Sequence, residues 1–345
     1  GRTEAARVCL ARSLQRQEDA RRRTEAAKAA ADEEAASIGS DDPELATRLA
    51  DGRVVGARRM TDARFSRNPG YAEAMNPFAV WLHGIYHLWT AEGTADFERA
   101  RKSLETVTRL APEDPYLAAD LALATSDSAQ PERESPAHSV VYMIHEVGLA
   151  PEWSEQQVTL PLIYADPRAP LVNIALPTIS PRGPRAGPTQ VSVEGAPATE
   201  LALLADVDGI VHAEFAENYP SARNRAIASA TLKAFAGYLA NRSAQASSRR
   251  EGDSGGRLLA LATLMATNAY AVSSAHADLR NWSSLPQEVR HARLIVPSGA
   301  DLRVSGGFLP GSLSCRLPPG RVILVTIRSI SADTPAIIRT SILKP

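Results

Sequence analysis

The sequence predicts an α+β fold: an amino-terminal module of helical hairpins, then a mixed α/β module with a mainly antiparallel sheet and two or three long helices. Three observations carry this expectation. Apolar side chains recur at helical spacing over residues 76–123, and a polar, proline-containing tract (ATSDSAQPERESPAH, 124–138) interrupts the chain. Beyond it the pattern shifts to short β-branched runs such as SVVYMIH at 139–145. The chain of 345 residues exceeds what one core usually organises. It divides into a helical repeat-like module over 1–127, a linker over 128–138 and an α+β module over 139–345.

Residues 1–36 are rich in Ala, Arg and Glu, residues of high helix propensity. Val8, Leu10 and Leu14 supply only a thin apolar stripe, so this helix is expected to pack at one end and stay exposed elsewhere. Asp42-Pro43 is a helix start, opening a second helix over 44–49. Asn76-Pro77 is another, and Phe78, Trp81, Leu82, Ile85, Leu88 and Trp89 follow at helical spacing. Gly93 ends that helix, the next spans Thr94 to Leu110, and the Pro112–Pro115 turn starts a third. Ala100, Leu104, Val107 and Pro112 match the second helix of a tetratricopeptide-type repeat, while the Trp, Leu-Gly and Tyr marks of a first helix are not in place. Arrays of this kind need about three units, so a small bundle with repeat-like hairpins is expected rather than a long solenoid.

In the second module, strands are expected at 139–145, 157–164, 171–176, 190–194, 291–296, 301–304 and 321–328, with a turn at Gly306-Gly307. Helices are expected from Asp206 to Phe215, after Pro220 with Ile227, Leu232, Phe235 and Leu239 on one side, and from Leu258 to Val272. The tract 243–256 is a loop.

Composition excludes some functions. The net charge of -1 argues against a nucleic-acid partner. The Arg21–Arg23 run sits among acidic residues, as on a solvated helix face. No stretch approaches the roughly 20 apolar residues of a membrane span. The chain opens without an apolar signal region, which places any export signal upstream. Cys9 and Cys315, far apart in sequence, are expected as isolated buried thiols rather than a bridge.

No constellation of catalytic residues emerges, and neither a cofactor nor a metal is expected. His83 and His87 stand at i and i+4, yet Gly84 occupies the place where a metalloprotease needs Glu. Packed or hydrogen-bonded helix histidines are the expectation. Asp206, Asp208, His212, Glu214 and Glu217 gather at a helix start, where the macrodipole accounts for carboxylates. Gly252, Gly255 and Gly256 lack the Lys-Ser/Thr of a phosphate loop, and no Gly-x-Ser-x-Gly elbow occurs. Arg223, Arg225 and Lys233 are expected to pair with Glu214 and Glu217.

Four stretches carry a resemblance. They are Tyr71 to Leu88 with Asn76-Pro77-Phe78; Glu146 to Pro151 with Leu160-Pro161-Leu162; Ala222 to Tyr238; and Ala277-Asp278-Leu279-Arg280-Asn281-Trp282 through Leu285-Pro286 to Arg293. With them the chain resembles a family of uncharacterised bacterial envelope lipoproteins with tetratricopeptide-like amino-terminal regions. Members are often found beside outer-membrane activators of penicillin-binding proteins. The resemblance implies a periplasmic, outer-membrane-associated accessory role without enzymatic activity, and a lipid anchor upstream of Gly1, since Cys9 lies in a charged helix. Its expected partners are other envelope proteins, with a homo-oligomer as a further option. The candidate interaction residues are Trp81, Trp89, Arg223, Arg225, Asp278, Arg280 and Trp282, with Trp282 expected as a latch over the sheet edge. Two alternatives stand beside this scaffold: an enzyme with a site around Asp206, Asp208 and His212, and a self-assembling structural subunit.

Overall fold

The computed structural model describes residues 2–40, 75–125, 137–161, 171–193, 196–216, 219, 226 and 282–345. The helices expected at 44–49, after Pro220 and at 258–272 lie outside these residues, as do the loop 243–256 and most of the linker. Four helices come first: α1 (Arg2–Ser40), α2 (Pro77–Thr90), α3 (Thr94–Leu110) and α4 (Leu117–Thr125). The strands follow as β1 (His138–Val147), β2 (Glu152–Pro161), β3 (Leu171–Ser180), β4 (Thr189–Val193), β5 (Thr199–Glu200) and β6 (Ala202–Asp206). The last five are β7 (Glu288–Pro297), β8 (Asp301–Gly306), β9 (Ser312–Arg316), β10 (Val322–Ser329) and β11 (Ile337–Lys344). A helical segment, 207–216, follows β6. The protein is thus mixed α+β with antiparallel-rich sheets.

The helical punctuation acts as the sequence predicts. Asn76 caps α2, its side chain accepting from Phe78 N over 3.0 Å, with Pro77 in the first turn. Gly93 begins α3. Gly84 is space rather than chemistry: a Cβ there would stand 3.0 Å from Leu104 Cγ and 3.3 Å from Ser103 Cβ. Its absence, with Ala100 fully buried opposite, lets α2 and α3 pack closely. α1 is held over its first half. Arg7 donates to Thr90 O and to Asp96 Oδ2, Leu14 joins the core, and Gln17 accepts from Asn76 N. Arg21 and Arg22 pair with Glu18 and Asp19 on the exposed face beyond.

The strands form three sheets rather than the single one expected. A five-stranded sheet has the order β11-β10-β1-β7-β6, beside a two-stranded sheet β2-β3 and a four-stranded sheet β5-β4-β8-β9. In the large sheet only β1 and β10 run parallel. Alternation along β1 explains the layering, because successive side chains face opposite sides. Val140, Tyr142 and Ile144 join the helices in one core, with Trp81, Ile85, Leu104 and Leu117. Val141 and Met143 face the other way, into a second core with Val191, Leu302 and Val304 of the four-stranded sheet. A sheet buried on both faces needs a cover on each, and the second cover is β-structure. Helical module and sheet therefore share one core.

Trp81 and Trp89, candidate interaction residues in the sequence, are core residues instead, 0% and 4% exposed. Trp81 sets its edge against Tyr142 and His291. The thiols are also corrected: both are free, but Cys9 is exposed and Cys315 half-buried. A cysteine on a solvated helix and one on an edge strand have no core to enter.

The second layer depends on Gly306, at φ +85°, where a Cβ would lie 2.1 Å from the Pro188 carbonyl oxygen. Gly306→Ala is expected to destabilise the protein by about 1–3 kcal/mol, measured as a lower urea midpoint. An unchanged midpoint would show that the β4–β8 junction yields freely.

Candidate functional site

Among the described residues, three groups of ionisable side chains bear on function, and two of them are engaged in holding the fold. The first lies between the helices and the large sheet. Trp89 Nε1 donates to Tyr142 OH over 2.9 Å, and Tyr142 OH donates to Asp120 Oδ1 over 2.8 Å. Arg293 Nε stands 3.2 Å from the same oxygen. Burial pushes the Asp120 carboxyl up to about 6, opposed by Arg293 and Tyr142. Beside it, fully buried His291 meets Asp114 at 2.5 Å between Nε2 and Oδ2. These groups are largely buried and span two layers, so they tie α4 and the α3–α4 turn to β1 and β7.

The second group is the acidic cluster proposed as an alternative active site. Asp206 is a helix cap: its Oδ1 accepts from Gly209 N over 3.1 Å, and Arg185 pairs with its carboxylate at 3.0 Å. Asp208 accepts from Gln287 Nε2 over 3.0 Å, and burial raises its carboxyl. His212 is half-buried on the same segment. Glu217, Arg223, Arg225, Lys233, Asp278 and Arg280 lie outside the described residues. On α2, His83 Nδ1 lies 2.9 Å from Ser103 Oγ, and His87 Nδ1 lies 3.4 Å from Asp96 Oδ1. Among the described residues, no three His, Cys, Asp or Glu side chains are grouped to hold a metal.

The third group is different because it fastens the turn that carries an exposed tryptophan. Two of the stretches that carry the family resemblance meet at the end of the large sheet. Ala150 N donates to Leu285 O over 2.9 Å and Gln287 N to Val147 O over 2.8 Å. Gly148 makes the turn at φ +70°, where a Cβ would press on Gln287. Two arginines fasten the junction. Arg182 donates through Nε to Ala150 O over 2.9 Å and through Nη2 to Ser283 O, while Arg328 Nη2 donates to Ser284 O over 3.2 Å. Glu146 lies beside Arg328, and burial raises its carboxyl against the pull of Arg328 and Arg339.

At this end Trp282 is 71% exposed, its indole N–H fixed by Ser284 Oγ at 2.6 Å. The expected latch is corrected: the indole covers no sheet edge but stands in solvent. Ile330 follows β10 and is 40% exposed, and Ile337, opposite Arg328 in register, is 54% exposed. Ile330 and Ile337 went unnoticed in the sequence. The exposure of Ile337 reflects the edge position of β11, which pairing alone defines. Comparison with known families, characterised proteins and solved structures yields no match.

Proposed function

We propose that this protein is a non-enzymatic scaffold or accessory protein of the bacterial cell envelope, periplasmic and outer-membrane associated, which binds other envelope proteins through the Trp282 end of its large sheet. The observation that carries this reading is an indole held by Ser284 yet 71% exposed, in a turn whose carbonyls are gripped by Arg182 and Arg328. Exposed apolar groups with a polar rim are the usual composition of a docking site, and Trp and Arg dominate binding hot spots. The ion pairs described above support it from the other side, since their geometry accounts for them as ties between layers. The close α2–α3 packing supports a tetratricopeptide-like hairpin. The envelope location rests on the family resemblance alone.

Trp282→Ala tests the reading. Truncating a side chain this exposed is expected to leave stability within about 0.5 kcal/mol of the native protein. Chemical crosslinking in envelope extracts is expected to lose its partner bands in the variant. A native chain that crosslinks to nothing, or a variant that keeps every band, would overturn the assignment of this surface.

A further inference from the structure

We propose that two copies of this chain pair through β11, edge to edge and antiparallel about a two-fold axis at Thr340, joining their five-stranded sheets into one. β11 closes the large sheet on one side, with β10 on one flank and no strand beyond it among the described residues. Its ladder to β10 is regular from Ile337 to Ile342 and shifts only between Val322 and Ile323. The outer flank therefore presents a row of backbone N–H and C=O groups, a template for another strand. Ile337 and Ile342 are 54% and 46% exposed, and the strand contains no Pro, Asp or Glu. Edges that must stay single are commonly kept short or bulged. β5, with two residues, and β6, with five and a bulge, are edges of that kind.

The pattern of β11 is the same from either end. Apolar Ile337-Ile338 and Ile342-Leu343 stand symmetrically about polar Arg339-Thr340-Ser341. Two antiparallel strands related by a two-fold axis normal to the sheet oppose residues equally far from the axis, on the same face. With Thr340 opposite its own copy, Ile338 meets Ile342, Ile337 meets Leu343 and Arg339 meets Ser341. The faces agree. Ile338, Thr340 and Ile342 pair with Ile327, Val325 and Ile323, three residues of the second core. Leu343 packs on the helical side, and Ile337, opposite Arg328, lies on that face too.

A step in either direction spoils the match. Centring the axis on Arg339 sets two guanidinium groups against each other and leaves both isoleucines opposite Thr340 and Ser341. Centring it on Ser341 sets Ile338 against Lys344 and Leu343 against Arg339. Like charges directly opposite are destabilising, and β-branched cross-strand pairs are favourable, so the side chains select the Thr340 register. The same symmetry selects the partner, because a second copy supplies every apolar match. Trp282 is not on β11, and the inference does not rest on the function proposed above.

The test uses the full chain under reducing conditions, which keep the exposed Cys9 from bridging copies. Sedimentation velocity across a concentration series is expected to show a monomer–dimer equilibrium. Thr340→Asp and Thr340→Lys each set like charges face to face at the axis, and each is expected to weaken dimerisation about tenfold. An equimolar mixture of the two places Asp opposite Lys and is expected to dimerise as the native chain does, a rescue that only the Thr340 register allows. Trp282→Ala is expected to leave the dimer intact. Amide hydrogen exchange of the native chain is expected to slow at β11 as concentration rises, with β9, an edge of the four-stranded sheet, unchanged. A native chain that stays monomeric, or β11 exchange independent of concentration, overturns the proposal even where the variants fail to fold. An undiminished dimer in folded Thr340→Asp, a mixture no stronger than its components, or loss of the dimer in Trp282→Ala overturns it as well.

Discussion

Replacing Asp120 with alanine is expected to destabilise the protein by about 3–5 kcal/mol at neutral pH, read from urea denaturation. Asp120 is fully buried on α4 and accepts from Tyr142 of β1, while Arg293 of β7 stands 3.2 Å away. Truncation removes the anion beside a guanidinium only 10% exposed and the acceptor of a buried hydroxyl. A loss below about 1 kcal/mol would show that the Asp120 contacts are not what holds these layers together.

The asparagine variant separates charge from shape. The folded chain holds the Asp120 carboxyl at about 6 against an ordinary 3.8, so folding tightens its proton. The resulting stabilisation is complete below about 3.8 and is lost as pH rises through about 6. A shift of about two units is worth about 3 kcal/mol. Relative to Asp120→Asn, the native chain should therefore gain stability of that order as pH falls from about 7 to about 4. His145 acts in the opposite sense. Burial lowers its imidazole to about 4, so its contribution is present above the ordinary 6.5 and lost as pH falls through 4. Because His145 is common to both proteins, it cancels in the difference. A pH-independent difference would show that Asp120 stays ionised throughout.

What could be read from the sequence divides by the range of the forces involved. α2 and α3 were legible because Asn76, Pro77 and Gly93 act on their own backbone, and the run from Phe78 to Trp89 carries its own period. β1 was legible because seven of its ten residues are buried in succession, giving a run of apolar character. β6 was not: Ala202-Leu203-Leu204-Ala205 favours helix locally, and pairing with β7 overrides that preference. β11 was missed because an edge strand exposed along both faces shows no clean alternation. The same reason hid the site. Trp282 stood out by its residue type, but which tryptophans face solvent depends on contacts between α2, β1 and β7 that no local pattern encodes.

That dependence makes Trp81→Ala the most informative core substitution. Trp81 is fully buried, 5.7 Å from the Tyr142 ring and 5.1 Å from the His291 ring, centroid to centroid. Removing so large a side chain costs about 3–5 kcal/mol through lost burial and the cavity left behind. The loss falls on one face of the large sheet. The second core, with Met143, Val191, Leu302 and Val304, makes none of Trp81's contacts and lies on the opposite face. Native-state hydrogen exchange of the variant is therefore expected to show α2–α4 opening first, with amides of β4 and β8 protected up to global unfolding. Equal acceleration in both layers would mean that the two cores unfold as one unit, and that the helices cannot yield without the sheet.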